Sequence, residues 1–256
     1  MASSTSLVKS LPFHGSIVGS NPAEVTKRRK IMKPRLTILI TSYNKEKYIS
    51  YILSMLIEQN CDDIIVNIID DGSTDKSLDI INELIKDVDN FHLYHWDKNK
   101  GTGYTRNYAL DLVETNYFIF IDADDMITEN YIKTILGYIT EDPTADIHYF
   151  KTRIYPLGGT VRYNFSLWDR VISKDFLDKN NIRFKDSLTN MEDYNLRIKI
   201  DKTVFREATH EDVLYIYNLL AEDTITHENP IWYGHNLNGQ REECDPNKPI
   251  YNDLED

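Results

Sequence analysis

YFIFIDADDMI, residues 117–127, runs from an apolar and aromatic stretch straight into three carboxylates, Asp122, Asp124 and Asp125. Tyr117 to Ile121 favour a buried strand. Acidic side chains are costly to bury, so the strand must surface where they begin. In an open α/β sheet that edge, outside the carboxyl ends of the strands, is where ligands sit. Asp122 and Asp124 lie two apart and would point the same way in extended backbone. Two hard oxygen donors on one side suit Mg2+ or Mn2+, above all when phosphates complete the shell. Alone, a D-x-D of this kind is more often a solvated acidic turn, so its meaning rests on the rest of the chain.

Outward from this stretch, strand and helix patterns alternate. Leu36 to Ile40 is apolar throughout and reads as a strand buried on both faces. Lys47 to Gln59 follows as a helix with Ile49, Ile52, Leu53, Leu56 and Ile57 inward. Ile64 to Ile69 is a second strand, and Ser73 or Thr74 is placed to cap a helix from about Asp75 to Val88. Phe91 to His95 is a third strand, Tyr104 to Glu114 a helix, and Glu129 to Thr140 another after Tyr117 to Ile121. The alternation specifies a mostly parallel, doubly wound α/β sheet with helices on both faces. After Pro143 the pattern loosens into a smaller mixed region. It holds a strand at Ile147 to Ile154, a turn at Pro156 to Gly159, helices at Val171 to Asn180 and Glu192 to Ile200, and a strand at Val213 to Leu219.

The body, residues 32–240, reads as one domain, divided at Pro143 into halves 32–142 and 143–240. Residues 1–31 read as a leader or disordered basic arm. They carry Lys9, Lys27, Arg28, Arg29 and Lys30 against Glu24, or +4, so a net charge of −12 leaves −16 for the remainder. A body that acidic is a poor general binder of nucleic acid or of anionic membrane. Residues 241–256 form an acidic tail. Two cysteines, Cys61 and Cys244, make neither a disulfide framework nor a zinc site, which fits a reduced compartment. No apolar run approaches the roughly 20 residues of a membrane span. The expected location is cytoplasmic, or peripheral at a membrane.

Four loops emerge at the same edge of the expected sheet: Thr41 to Asn44, Asp70 to Ser73, Gly101 to Asn107, and Asp122 to Asp125. Asp70 and Asp71 bring two carboxylates to a strand end beside a helix start, suited to a base N–H, a ribose hydroxyl or a phosphate; alone they are equally a cap with an Asx turn. Gly101-Thr-Gly-Tyr-Thr-Arg resembles half of a dinucleotide fingerprint, but Arg106 holds the place of the third glycine and is instead shaped to fork onto a phosphate. Glu192 and Asp193 sit where Asn190 would cap a helix, and a carboxylate at a helix N-terminus stays ionised, available as a base. His227 and His235 are candidates for a metal shell or a phosphate contact. Trp168, Trp232 and Tyr233 are candidates to stack on a base or sugar, though such residues more often belong to core or rim.

ITSYNKEKYI, IIDDGSTDKS, NKGTGYTRNYAL and FIFIDADDMI together resemble the donor-binding half of a family 2 glycosyltransferase with the GT-A fold, in order and in rough spacing. SLWDRVISKDFLDKNNIRF, NMEDYNLRIKI and DTITH are more weakly similar to the family's acceptor half. The resemblance implies that Thr41, Tyr43 and Asp71 line the base site with Asp70 close by, and that Arg106 approaches the ribose or diphosphate. It makes Asp124 the ligand of Mn2+ or Mg2+, Asp122 an assisting ligand or ribose contact, and His227 a contact to metal or diphosphate. Asp193 becomes the catalytic base, with Glu192 orienting the acceptor or the base. The reaction implied is an inverting transfer from a nucleotide sugar, a UDP-sugar first, to an acceptor hydroxyl. The Gln-x-x-Arg-Trp signature of processive members is absent. The acceptor stays open between a glycan, a lipid-linked sugar, a protein and a nucleic acid. Two other classes compete. A nucleotidyltransferase would need a Gly-rich basic loop after the first strand, and TSYNKEKY has no glycine. A phospho-receiver would place one phospho-acceptor after the third strand and a lysine after the fifth, and neither is legible; a catalytically inactive donor-binding subunit would lack the base, and Asp193 is present.

Overall fold

The computed structural model describes residues 34–59, 61–161, 166–188 and 191–221. The leader, the acidic tail, Asn190, His227, His235, Trp232, Tyr233 and Cys244 lie outside the described residues. In chain order the elements are β1 (Leu36–Ser42), α1 (Ile49–Glu58), β2 (Ile64–Asp70), α2 (Ser77–Ile85), β3 (Phe91–His95), α3 (Thr102–Asp111), β4 (Tyr117–Asp122), β5 (Met126–Ile127), α4 (Tyr131–Glu141), β6 (Ile147–Tyr155), β7 (Thr160–Val161), β8 (Arg170–Ser173), α5 (Lys174–Lys179), α6 (Glu192–Asp201) and β9 (Glu207–Asn218).

Among the described residues the strands form one sheet in the order β3-β2-β1-β4-β8-β6-β9-β5, with β7 alongside β6. The first four are parallel. Beyond β4 the pairing is mixed: β8 is antiparallel to β4 and to β6, β5 is antiparallel to β9, and β6 runs parallel to β9. The chain winds outward from β1 through β2 to β3, then returns to place β4 on the other side of β1. That reversal is a topological switch point, and the crevice it leaves lies at the carboxyl ends of β1 and β4.

β1 and β4 sit at the centre because they are apolar on both faces: Leu36, Ile38, Leu39, Ile40, Phe118, Ile119 and Ile121 are fully buried. One core layer packs Ile38, Ile68 and Ile119 under α1, α2 and α4. The other packs Leu39, Ile69, Phe118 and Phe120 under α3, α5 and α6. Each fully buried Ile or Leu contributes about 1.5–3 kcal/mol over an exposed one, so the layers hold the strands in register. α1 buries Ile49, Ile52, Leu53 and Leu56, a 3–4 spacing along one stripe. Its end is tied down by Gln59, whose Nε2 donates to the Thr128 carbonyl while its Oε1 accepts from the Ile132 amide.

Three expectations are corrected. Val171 to Asn180 is not one helix: Arg170–Ser173 is strand β8, and only Lys174–Lys179 is helical. The apolar Val171 and Ile172 complete the sheet between β4 and β6, a tertiary demand that overrides the helical pattern. Neither Ser73 nor Thr74 caps α2, which begins at Ser77; the Asp75 carboxylate takes the Ser77 amide instead, because Ser73 is engaged by Asp70. The N-cap position of α6 belongs to Met191, in left-handed backbone (φ 61°) with no capping side chain.

Candidate active site

The strand register sets the site. Ser42 pairs with Asp70, and Thr41 pairs with Asp122, so the loops after β1, β2 and β4 leave the sheet at one level. The β3–α3 loop joins them through Asp71. Its Oδ1 accepts from Trp96 Nε1 (2.9 Å) and the Lys100 amide (2.8 Å), and its Oδ2 from the Gly101 amide (3.1 Å). Gly101 needs its φ of 93° to start α3 at that point. Gly103 is required for a different reason, since a Cβ there would strike the carbonyl oxygens of Lys185 and Leu188, and its amide donates to the latter (3.1 Å). The two glycines of the half-fingerprint thus serve loop shape and close packing.

Asp70 is fully buried, with both carboxylate oxygens accepting from Ser73, one from its amide (2.8 Å) and one from its hydroxyl (2.5 Å). Its visible role is to shape the turn. The same turn is laced to the β1–α1 loop: the Asn44 amide donates to Ser73 Oγ, the Thr74 amide to Asn44 Oδ1, and the Lys76 amide to Glu46 Oε2. Asn44 reaches across from left-handed backbone, which Asn tolerates. Thr41 is half-buried at the crevice, and Tyr43 is 44% exposed at its rim.

Arg106 is the hub. It rises from the first turns of α3, is nearly buried, and lies between the rings of Phe120 and Phe184 at 5.7 and 5.8 Å. Its Nη1 donates to Glu192 Oε1 (2.6 Å) and to Asp193, and its Nη2 to Asp122 Oδ1 (3.2 Å). One guanidinium therefore joins the carboxylate at the end of β4 to the acidic pair at the start of α6. Beside it, Lys45 Nζ contacts Asp124 Oδ2 at 2.8 Å. Burial first, then Asp124 and Glu192, push the Asp122 carboxyl above the usual range, against the lowering pull of Arg106 and Lys45.

Asp125 departs from Asp122 and Asp124. Its Oδ2 accepts from the Tyr215 hydroxyl (2.7 Å) and its Oδ1 from the Asn218 amide (2.8 Å). Burial, then the charges of Asp124 and Asp122, raise its pKa well above the ordinary carboxylate value. The Tyr215 oxygen also accepts from the Asp122 amide (3.1 Å), and Asn218 Nδ2 donates to the Asp124 carbonyl (3.1 Å). Residues on β9 thus hold the acidic turn in place. Trp168 belongs to the core rather than to a ligand platform, stacked on Tyr215 (4.9 Å, 3°) and Tyr217 (5.5 Å, 15°).

Lys45, Trp96, Tyr215 and Asn218 join the site without having been marked by the sequence motifs. None had a local signal: Lys45 becomes visible only once the register pairs Thr41, four residues before it, with Asp122. The described residues contain no group of three His, Cys, Asp or Glu placed to hold a metal. Asp122 and Asp124 remain two hard oxygen donors at a strand end, which is the protein share of a site that phosphates complete.

The family model described as Glycosyl transferase family 2 matches residues 37–210. A teichoic acid poly(glycerol phosphate) polymerase of Staphylococcus epidermidis is 39% identical over 151 residues, 58% of this chain and 20% of that one. The crystal structure of S. aureus TarS 1-349 in complex with UDP-GlcNAc gives a TM-score of 0.66 at 23% identity, over 74% of this chain and 60% of that one. The mannosyltransferase PcManGT from Pyrobaculum calidifontis, in complex with GDP-Man and Mn2+, gives 0.58 at 17%, over 75% of this chain and 59% of that one. These two structures carry the fold, which is the GT-A arrangement, and the chain spans a fifth of the polymerase and three-fifths of the TarS chain.

Proposed function

The chain belongs to glycosyl transferase family 2, and from that membership we propose that it moves a sugar from a nucleotide-sugar donor to an acceptor hydroxyl with inversion, Asp193 acting as base. One observation carries the reading: Arg106 holds Asp122, Glu192 and Asp193 on a single guanidinium, although they lie 16, 86 and 87 residues away in sequence. That joins the D-x-D edge to the acidic pair at a helix start, as a donor-to-acceptor transfer requires.

Asp71, fixed by Trp96 and the Lys100 and Gly101 amides, forms the floor of the base pocket with Thr41 and Tyr43 at its sides. Asp70 lies next to it and shapes the following turn through Ser73. Arg106 turns toward the diphosphate, since a charge-assisted fork onto phosphate replaces the one it makes to carboxylates. Released from that guanidinium, Asp193 is the stronger base. It takes the proton of the acceptor hydroxyl, a weak nucleophile at neutral pH, while Glu192 orients it. Asp124 and Asp122 would hold Mn2+ or Mg2+, which when bound offsets the charge of the departing diphosphate. His227 is the candidate to contact that ion or the diphosphate from the C-terminal side. The Mn2+ complex of PcManGT supports the metal, and the UDP-GlcNAc complex of TarS supports a UDP-sugar donor.

The polymerase relative and TarS, a poly(ribitol-phosphate) beta-N-acetylglucosaminyltransferase, both carry a polyol-phosphate chain in their names. Such a chain is the first acceptor to test. No helix among the described residues is long and apolar enough to cross a membrane. The deciding variant is Asp193→Asn. It is expected to bind UDP as the wild type does and to lose transfer by about 100-fold or more, the scale of a lost general base. Wild-type transfer rates in that variant would remove Asp193 from the role.

A further inference from the structure

The acidic edge carries a cation that the proposed donor site does not use. Lys45 stands on the β1–α1 loop with Nζ 2.8 Å from Asp124 Oδ2, and both side chains are largely buried, 15% and 12% exposed. Its backbone is pinned from both directions. The Lys45 amide donates to Ser77 Oγ (2.8 Å), and its carbonyl accepts from the Tyr48 and Ile49 amides (2.9 Å each). The ammonium is thus aimed at Asp124 from a fixed base. Around it, the carboxylates of Asp122, Asp124, Glu192 and Asp193 are met by the cations of Lys45 and Arg106, so four anions share two described partners.

We infer that Lys45 makes divalent-metal binding at Asp124 conditional on the nucleotide diphosphate, and that its ammonium then becomes a contact of that diphosphate. The inference rests on the reading of Asp124 as the metal-binding carboxylate. An ammonium and a divalent ion cannot share Asp124 Oδ2 without a like-charge contact, so free metal must displace Lys45 from its carboxylate. A bare Asp124 would take the ion readily, whereas Asp124 held by Lys45 does not. A diphosphate changes the balance, because it adds negative charge on the crevice side and gives the displaced ammonium a new anionic partner. Lysine suits this because its head is a compact point charge on a flexible stem, able to swing between two anions from an unmoved backbone.

Mn2+ affinity is measured directly, by the free-ion electron paramagnetic resonance signal, on the full chain with and without UDP. Lys45→Met is expected to bind Mn2+ alone about tenfold or more tighter than wild type, the scale of removing one neighbouring like charge. The same variant should bind UDP more weakly when metal is chelated. Lys45→Arg, which keeps the charge, should keep the weak metal affinity of the wild type. Lys45→Gln retains a polar head and serves if the Met variant does not fold. Equal Mn2+ affinity in wild type, Met and Gln variants overturns the inference. Asp124→Asn separates the two levels: if it binds Mn2+ with UDP as well as wild type does, the metal reading of Asp124 itself fails.

Discussion

Strand β4 ends in two polar clusters that solve burial in opposite ways. At its carboxyl end Asp122, Glu192, Asp193 and Asp124 are drawn together around Arg106 and Lys45. At its amino end, five residues or ~17 Å back along the strand, the Tyr117 ring meets the edge of His148, which is fully buried. There His148 Nδ1 shares a hydrogen bond with His210 Nε2 (3.2 Å), His210 stacks on Tyr138 at 3.5 Å, and the Tyr138 hydroxyl donates to Asp212 (2.7 Å). Burial first, then His210, push the His148 imidazole down to about 4, against the pull of Asp142. One end of the sheet gathers its acids around two shared cations; the other stacks its rings and disfavours the charged form of His148. Cations that could trade a carboxylate for a phosphate suit the proposed site for an anionic ligand, and the ring stack offers no such cation.

The largest expected effect breaks the charged end. Arg106→Met leaves Asp122, Glu192 and Asp193 facing one another without their shared cation, and losing one partner of a buried pair costs about 3–5 kcal/mol. Urea unfolding should show that loss, and transfer should be abolished. Arg106→Met with Glu192→Gln should recover part of the stability, since one of the stranded charges is gone. An unchanged midpoint in Arg106→Met would show that the hub is ornamental.

The neutral end is read by pH. His148 has a lowered folded pKa, so the folded state resists the proton that the unfolded state accepts. Its contribution is unaffected above about 6.5 and becomes a growing penalty as pH falls toward 4, reaching about 3 kcal/mol over that window. Asp125 and Asp122 have raised folded pKa values, so their contribution has the opposite sign: greatest in acid, and lost as pH rises above the unfolded carboxylate value near 3.8. Between pH 4 and 6.5 the two ends of β4 therefore pull stability in opposite directions. His148→Phe should make the protein less sensitive to acid, and Asp125→Asn should make it more so. Identical pH profiles for both variants and wild type would mean the two ends do not differ in the way described.

The sheet edge at which the acidic loops meet was legible from sequence because strand ends, a D-x-D, a strand-end Asp pair and an Arg in a helix start are local patterns. The parallel α/β character of β1 to β4 followed from alternation alone. What stayed hidden is long-range. Residues Tyr215 and Asn218 reach Asp125 across 90 and 93 positions, and nothing local marks a strand tyrosine as the anchor of an acidic turn. β8 was hidden for the same reason: its place between β4 and β6 is decided by the gap it fills, not by its own period. Asp125, which no motif gave a chemical role, is the pivot of that long-range tie. Tyr215→Phe should therefore cost about 2 kcal/mol, the scale of leaving buried hydrogen-bonding groups without their partner, and should weaken donor binding through the displaced turn. Full stability in that variant would mean that the hydroxyl bridges nothing that matters.

The smallest effect sharpens the site itself. Trp96 donates its indole N–H to Asp71 Oδ1, packs edge-on against Tyr108 at 4.6 Å, and lies under the Lys100 ammonium at 4.4 Å. Trp96→Phe keeps the ring and most of the packing but removes the donor. Asp71 still has the Lys100 and Gly101 amides, so stability should fall by only about 1 kcal/mol. The carboxylate loses one of its three fixed contacts, and under the proposed reading the group that faces the nucleobase becomes adjustable. The expected signature is a modest rise in the Kd for UDP with a reduced preference for UDP over GDP or dTDP, while Mn2+ binding in the presence of UDP is unaffected. A variant that binds all three nucleotides as wild type does would detach Asp71 from the base pocket, leaving Thr41 and Tyr43 to define it.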